Sequence, residues 1–294
     1  MQEIVGMHVD VDDRLIVVDR NSRRFTIFTD MGKDFTMGST INKGFIMPNP
    51  ILSLDSTLLL SEVRWIANPE GGPSLRDDRF LHLSDADLNR IKTFGLLADL
   101  FDLSSPFLKA HSDSPRAIKV ATDGMGTIVA APYVYDGHIY RYVRSPDRWI
   151  TEELKGRAIA AKAFMTVSRE EIDSSEDVRR GAIMTSDPTG TYSARIFSRS
   201  RGIGILSTGQ ILHFVARTPL KEAFEPFAEL YGQDGSLEAF GKLLFDDPGL
   251  NGSDQVMKNV DLQWIDADDR IFIARRNPDG FFVLSVAELE ITPL

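Results

Sequence analysis

The chain has 294 residues, with 33 Lys and Arg against 43 Asp and Glu, and its formal net charge is −10. It contains no cysteine, which excludes disulfides, Cys-ligated zinc sites, iron–sulfur clusters and thiol nucleophiles. Because an acidic chain repels phosphate backbones, nucleic acid is not an expected partner. No apolar run approaches the roughly 20 residues of a membrane-spanning helix, so no transmembrane segment is expected.

The first residues show neither the basic segment nor the apolar core of a secretory leader. They enter a strand-like pattern at once, so we expect that the natural N-terminus lies further upstream.

A strand–turn–strand motif recurs along the chain. Its clearest copies are residues 10–17 and 266–273, where an Asp-rich turn precedes a strongly apolar strand. Weaker copies lie at 51–60, 118–129 and 203–212. A second hairpin follows, with turns at 30–32, 85–87, 145–147 and 233–235. The repeating unit is therefore predicted to be a meander of four short antiparallel strands.

The spacing of these units indicates a β-propeller. The first turns lie near positions 13, 56, 124, 209 and 269, and the interval from 124 to 209 is about twice the first interval. A degenerate unit is therefore expected within 157–200, where 182–185 and 192–197 form a hairpin pattern. We predict an all-β chain, one propeller domain over residues 1–294, with six four-stranded blades or, as the alternative, five.

The second strand of each unit, here called the B strand, is continuously apolar. The five B strands are predicted at 15–18, 58–60, 128–131, 211–215 and 271–274. Such runs are typical of strands that are buried on both faces. Helices are few: residues 168–180 begin with a capping box of Ser168 and Glu171, and single helical turns are expected within 96–103 and 221–224.

Residues 9–33, 51–95, 202–245 and 260–291 carry a pattern that resembles the NHL-like six-bladed β-propellers, in particular uncharacterised bacterial members. The resemblance implies the architecture and a periplasmic or cell-surface location, and it leaves activity open because many functions share this fold. We expect the ring to lack its N-terminal closing strand.

Catalytic signatures are missing from the sequence. It has no phosphate-binding loop, no Gly-x-Ser-x-Gly and no His-Glu-x-x-His, and its five histidines are scattered. The Asp-rich turns lack the Gly and distal Glu of a calcium-binding EF-hand loop, so they are interpreted as blade turns. No cofactor is therefore expected. An axial divalent cation such as calcium is the alternative, with Asn49, Asp113 and Asn259 as candidate ligands of a lactonase-like hydrolase or lyase.

Basic and aromatic residues follow the B strands. Since these strands share one polarity, their ends should lie on one rim of the channel. The candidate binding residues there are Arg20, Arg64, Trp65, Tyr133, Tyr135, Arg217, Arg275 and Arg276. Arginine binds carboxylate and phosphate groups through paired donors, and Trp or Tyr adds a stacking face.

Two interpretations of this rim stay open. The arginines bind a ligand, or they pair with acidic residues of the adjacent blade, for which Asp19, Asp77, Asp78, Asp136 and Asp279 are available. Three inserts, 39–49, 65–79 and 95–115, should decorate the same rim, the last with Phe101, Phe107 and His111. The sequence favours a non-enzymatic binding or scaffolding propeller whose partner is a protein, a peptide, or an anionic small molecule or glycan. A metal-dependent hydrolase or lyase is the alternative.

Overall fold

The computed structural model describes residues 4–10, 12–19, 24–29, 34–39, 51–62, 64–66, 75–114, 117–157, 162–175, 178, 182–217, 225–243, 261–276 and 282–287. Strands dominate these segments, as the sequence predicts. No helix within them is long and apolar enough to cross a membrane.

The first half of the chain forms three sheets with a meander topology. Sheet 1 consists of β1 (Ile4–Val9), β2 (Leu15–Asp19), β3 (Arg24–Thr29) and β4 (Asp34–Ser39). Sheet 2 consists of β5 (Ile51–Leu54), β6 (Thr57–Ser61), β9 (Arg79–Ser84) and β10 (Arg90–Leu96). The inserted strands β7 (Arg64–Ile66) and β8 (Leu75–Asp77) form a separate ribbon. Sheet 3 consists of β11 (Ile118–Thr122), β12 (Thr127–Pro132), β13 (His138–Arg144) and β14 (Trp149–Lys155).

The second half adds three more sheets. The side sheet has the order β15 (Phe164–Thr166), β17 (Gly190–Ile196), β16 (Ala182–Asp187). Sheet 4 consists of β18 (Ser198–Ile205), β19 (Ile211–Arg217), β20 (Glu225–Tyr231) and β21 (Leu237–Lys242). Sheet 5 consists of β22 (Asp261–Ile265), β23 (Ile271–Arg276) and β24 (Phe282–Ala287). All strand pairs are antiparallel.

The described segments contain three short helices: α1 (Leu97–Leu100), α2 (Pro106–His111) and α3 (Arg169–Ser174). The capping box predicted for Ser168 and Glu171 is confirmed, because each side chain bonds the other residue's backbone N–H. The helical turn predicted within 96–103 is α1. Residues 221–224 lie outside the described part of the chain.

The Asp-rich turns are hairpin turns, as predicted. The Oδ1 atom of Asp10 accepts hydrogen bonds from the backbone N of Asp12 (3.0 Å) and of Arg14 (2.9 Å). Asp266 makes the same pair of bonds at the corresponding turn in sheet 5. The fourth residue of each turn adopts a positive φ, which is 57° at Asp13 and 60° at Asp269. Asp tolerates this conformation better than most residues. These carboxylates therefore satisfy backbone donors within their own turns.

Sheets 1, 2, 3, 4 and 5 stack face to face in that order. Separate apolar cores lie between consecutive sheets, and each includes side chains of the B strands. Sheet 3 contacts sheet 2 through Ile128 and sheet 4 through Val129 and Ala131. This alternation explains why β6, β12 and β19 are buried almost continuously.

The outermost B strands differ from the sequence-based expectation. Strand β2 alternates between buried and partly exposed residues, because the outer face of sheet 1 leaves Met7 and Val9 more than half exposed. Sheet 5 likewise exposes Leu284 and Val286 on the face that points away from sheet 4. Each of these two sheets is packed against one described neighbour only, so one of its faces is open.

The side sheet is where the arrangement departs most from the expected repeat. The hairpin predicted within 157–200 exists as β16 and β17. It does not stand between its sequence neighbours, because β18 of sheet 4 packs directly on β11 and β12 of sheet 3. The side sheet instead packs against α2, with Phe164 5.4 Å from Phe107 between ring centroids. The degenerate unit is thus an appendage of the insert at 95–115.

Candidate functional site

The turns between the first two strands of each unit lie at one end of the stack. Asp55 in sheet 2 donates its backbone N–H to Gly124 O in sheet 3 (2.7 Å). Ser207 in sheet 4 bonds Asp269 in sheet 5 through its N–H and its hydroxyl, both at 2.6 Å. Because each B strand begins at this turn end, the B strands finish at the opposite end. That opposite end, with the starts of β11, β18 and β22, is called the rim.

The inner strands of sheets 4 and 5 run side by side in the same direction. A Cβ on Gly202 would lie 2.3 Å from Leu262 O, and a Cβ on Gly204 would lie 2.5 Å from Ile265 Cδ1. Arg201 at the same level pairs with Asp261 at 3.3 Å. Glycine therefore permits the close approach that aligns both strands, and it fixes their starts at the rim.

Four candidate rim residues are placed by the strands to which they belong. Arg64 and Trp65 lie in β7, paired with Asp77 and Arg76 of β8. Arg275 and Arg276 end β23, so both belong to the rim by strand polarity. Arg20 lies outside the described residues, although β2 ends directly before it.

Arg217 lies at the rim and already has a partner. It ends β19, its Nη2 atom is 3.3 Å from Glu225 Oε2, and its guanidinium lies 4.3 Å from the ring centroid of Phe227. Lys242 bonds the other oxygen of Glu225 at 2.9 Å. Lys242 first, and Arg217 after it, hold the pKa of Glu225 below its usual value. The acidic partner belongs to the next strand of the same sheet, rather than to an adjacent blade as the tie interpretation supposed.

Tyr133 lies at the rim between sheets 3 and 4. It follows β12, and its backbone O accepts a hydrogen bond from Ser200 N (3.0 Å) in the first part of β18. Val134 forms an isolated antiparallel bridge with Arg199. The guanidinium of Arg199 lies 5.9 Å from the centroid of the Tyr133 ring. The sequence analysis missed Arg199, because it lies at the start of β18, the first strand of its unit, rather than after a B strand.

His111 joins this pair from the insert. It ends α2, is 5% exposed, stacks on Phe107 and lies 5.6 Å from Tyr133 between ring centroids. Its Nε2 atom is buried and has no hydrogen-bond partner among the described residues. Burial first, and then the charge of Arg199, lower the pKa of His111 to about 4, so the ring is neutral at pH 7. His111, Tyr133 and Arg199 are called the His111 cluster below.

Tyr135, by contrast, lies in the interior. Its hydroxyl donates to Oε2 of Glu229 at 2.6 Å, and the hydroxyl of Tyr231 donates to the same oxygen at 2.8 Å. The backbone N of Arg157 donates to Oε1 at 2.6 Å. Burial first, and then the charge of Glu229, raise the pKa of Tyr135, which keeps its proton. Tyr135 therefore contributes to the junction of sheets 3 and 4 rather than to a solvent-facing surface.

The same carboxylate ends a Ser–His–Glu series. His213 places Nδ1 3.1 Å from Glu229 Oε2 and Nε2 3.0 Å from Ser200 Oγ. Ser200 donates its one hydroxyl proton to Pro132 O at 2.6 Å, so its oxygen must accept from His213 Nε2–H. The contact between Nδ1 and Oε2 also needs a proton, since two lone pairs would repel. His213 therefore bridges Ser200 and Glu229 through its two ring nitrogens.

This order of side chains is the one that activates a serine nucleophile. Here all three side chains are fully buried and the serine proton is bonded to a backbone carbonyl. In this arrangement the hydroxyl cannot meet a substrate. The network instead satisfies a buried carboxylate and joins sheet 3 to sheet 4.

Of the three candidate metal ligands, the structure describes Asp113. Asn49 and Asn259 lie outside the described residues. Asp113 is 3.2 Å from Arg76 Nε, and burial, with some contribution from Asp187 and Asp78, raises its pKa to about 6. Over the part of the chain that the structure describes, no group of three or more His, Asp or Glu residues is placed to hold a metal ion.

Comparison with solved structures places the architecture. The chain is similar to a member of the DUF4221 family from Bacteroides vulgatus, with 12% sequence identity and a TM-score of 0.54, over 94% of this chain and 76% of that chain. It is also similar to virginiamycin B lyase from Staphylococcus aureus, with 9% identity and a TM-score of 0.44, over 96% of this chain and 69% of the lyase. A third similar structure is the β-propeller domain of Cps50 (Swd1) from Myceliophteria thermophila, with 9% identity and a TM-score of 0.42. The match covers 92% of this chain and 66% of that domain's chain. No protein-family model and no curated protein matches the sequence.

The similarity to the DUF4221 structure and the four-stranded antiparallel sheets show a β-propeller fold. An identity of this size supports the fold alone, so function has to be argued from the site.

Proposed function

We propose that the chain is a binding propeller that takes an acidic peptide or another anionic ligand at the rim. The observation that carries this proposal is the position of two arginines beside aromatic rings at the rim. Arg199 and Arg217 lie there beside the rings of Tyr133 and Phe227, whereas Asp10 and Asp266 at the other end are paired with Arg14 and Arg270. A basic rim on an acidic chain attracts anions to one place.

Arg217 keeps donors for a ligand although it pairs with Glu225. Its guanidinium has five N–H groups, the ion pair is long at 3.3 Å, and the side chain is 32% exposed. Exposed pairs of this kind contribute little to stability. Arg217 therefore contributes little to the stability of the fold and keeps N–H donors that can bind a carboxylate.

The test replaces Arg217 and Arg275 by Gln, singly and together, and measures binding of a panel of short peptides that differ only in their content of Asp and Glu. Arg148→Gln is the matched control, because Arg148 is an exposed arginine in a turn at the opposite end. We expect each rim substitution to weaken binding of acidic peptides about tenfold, which corresponds to one charge-assisted hydrogen bond. The loss should be larger at low salt, and the melting temperature should stay near that of the wild type.

If the melting temperature falls and peptide binding is unchanged, these arginines stabilise the fold through ion pairs and do not bind the ligand. Equal effects of Arg148→Gln and the rim substitutions would mean that only net charge matters.

We also propose that the propeller is of the NHL-like type and has six blades. The resemblance implies six blades, and the exposed Met7 and Leu284 on the outer faces of sheets 1 and 5 support a ring in which a further sheet covers both faces. In a ring of five these two faces would contact each other. Since the chain has no cysteine, the double variant Met7→Cys and Leu284→Cys tests this: a disulfide under mild oxidation indicates five blades, and two free thiols support six.

A further inference from the structure

We propose that the His111 cluster is a subsite for a single carboxylate group, held by the guanidinium of Arg199 and by Nε2 of His111 against the ring of Tyr133. This inference rests on the proposed function, because it names the chemical group that the rim recognises. It assigns that recognition to two residues, His111 and Arg199, that do not follow a B strand.

The first argument is the state of His111. His111 is 5% exposed, yet its Nε2 atom has no hydrogen-bond partner in the part of the chain that the structure describes. Buried polar atoms of native proteins are almost always paired, so an unpaired one needs an explanation. A phenylalanine at this place would stack on Phe107 equally well and would leave no polar atom unsatisfied. A ring nitrogen kept here is therefore suited to bonding a ligand.

The second argument is the electrostatic environment of Arg199. Burial first lowers the pKa of Arg199, Tyr133 opposes that effect, and the charge of Arg201 adds to it. Arg201 is itself balanced by Asp261 at 3.3 Å. A carboxylate beside Arg199 would offset both the burial of the guanidinium and its repulsion from Arg201. The cluster is therefore a place where a negative charge is stabilised.

The third argument selects a carboxylate over a phosphate. One guanidinium and one neutral imidazole together supply a single positive charge, which matches a monoanion. A guanidinium presents two parallel N–H groups in the plane of a carboxylate, and Nε2–H can reach the remaining lone pairs. A phosphate dianion would leave one negative charge unbalanced in a largely buried place.

The experiment follows the imidazole of His111 by NMR during pH titrations without additive, with acetate and with sulfate, which carries two negative charges over the whole titration. Bound acetate should raise the pKa of His111 from about 4 towards its ordinary value, so binding should tighten as the pH falls until acetate itself becomes protonated. Sulfate at the same concentration should shift the pKa less. Benzoate, whose ring can pack on Tyr133, should bind at least as tightly as acetate.

Variants separate binding from folding. His111→Phe should keep or raise the melting temperature and reduce acetate affinity at least about tenfold. Arg199→Lys, which keeps the charge and loses the paired donors, should weaken acetate binding and keep the fold. The control Arg148→Gln should change neither quantity. A peptide with a free C-terminal carboxylate and its amidated counterpart distinguish a peptide end from a free acid: a peptide ligand requires the free carboxylate to compete with acetate.

Two results would overturn the subsite. One is an acetate affinity that His111→Phe leaves unchanged, and the other is a His111 titration that no carboxylate alters, as expected if a buried water alone satisfies Nε2. If one of these two results is obtained and acidic peptides still bind in an Arg217-dependent manner, the carboxylate subsite is ruled out and the proposed function is supported. If acetate binds through His111 while no peptide binds the rim, the proposed peptide function fails and the carboxylate site stands.

Discussion

The hydroxyl of Tyr135 donates a 2.6 Å hydrogen bond to Oε2 of Glu229 across the junction of sheets 3 and 4. The two residues are 94 positions apart in the sequence and both are fully buried. With Tyr231, His213 and the N–H of Arg157, Tyr135 gives this carboxylate four donors. A carboxylate bonded this completely tolerates burial, whereas the loss of one donor leaves a charge poorly solvated.

Tyr135→Phe is therefore expected to destabilise the protein by about 1.5–3 kcal/mol, the usual range for a hydrogen bond to a charged group. Tyr231→Phe should have a similar effect, because its hydroxyl bonds the same oxygen. Tyr140→Phe is the matched control, since its hydroxyl makes a 3.3 Å bond in an exposed position, and it should change stability by less than about 0.5 kcal/mol. Urea unfolding measures all three. Equal effects at Tyr135 and Tyr140 would contradict the importance of the buried carboxylate.

Gly156 packs directly against the Tyr135 hydroxyl and the Glu229 carboxylate of this network. A Cβ at this position would lie 2.0 Å from the Tyr135 hydroxyl and 2.4 Å from Glu229 Oε1. Gly156→Ala should therefore displace the backbone that brings Arg157 N to the carboxylate, and we expect a loss of at least about 2 kcal/mol. Gly241→Ala, where no atom lies within 4 Å of the new methyl group, should stay within about 0.5 kcal/mol. The outcome that would count against this account is a mild Gly156→Ala variant.

Asp113 and His111 should give opposite pH dependences within one window. The pKa of Asp113 is raised from 3.8 to about 6, so the folded state binds the extra proton and stability falls as the pH rises from about 4 to about 6. The pKa of His111 is lowered from 6.5 to about 4, so the unfolded state binds the extra proton and stability rises with pH over 4 to 6.5. In the wild type the two contributions largely cancel.

Single variants separate these contributions. Relative to wild type, Asp113→Asn should gain stability as the pH rises from 4 to 6.5, because only the His111 contribution remains. His111→Phe should lose stability over the same interval. Thermal unfolding of the three proteins at several pH values provides the comparison. Parallel curves for all three would contradict the assigned shifts.

Leu59→Ala and Ile211→Ala should each destabilise the protein by about 2–5 kcal/mol. Both side chains are at most 1% exposed and lie in the cores between consecutive sheets. Leu284→Ala, on the open face of sheet 5, should change stability by less than about 0.5 kcal/mol. The unfolding midpoints in urea distinguish the two classes, and a small effect at Leu59 or Ile211 would contradict the stacking of the sheets.

Local sequence signals predicted the strands and turns well. The B strands were recognisable because continuous apolar runs such as Ile211–Val215 need burial on both faces, and the stacked sheets provide it. Asp10 and Asp266 were recognisable as turn residues because their carboxylates act on backbone atoms two and four residues later. Both signals can be recognised in the sequence because each depends on a few consecutive residues.

Long-range packing was less accessible. The hairpin of β16 and β17 was predicted, yet its position beside α2 depends on contacts such as Phe107 with Phe164 that no repeat spacing encodes. Glu229 and His213 each interrupt an apolar strand, and two polar residues in such runs are a usable signal for a buried pair. Tyr133 and Tyr135 stand two positions apart with the same residue type, and only the fold places one at the rim and the other inside.

The most direct test of the central claim is amide hydrogen exchange with and without a bound acidic peptide. The account predicts that the peptide protects residues 133–134, 198–201 and 216–217, which lie at the rim between sheets 3 and 4, and leaves the turns at 10–14 and 266–270 unchanged. Protection confined to those turns, or to the open faces of sheets 1 and 5, would contradict it.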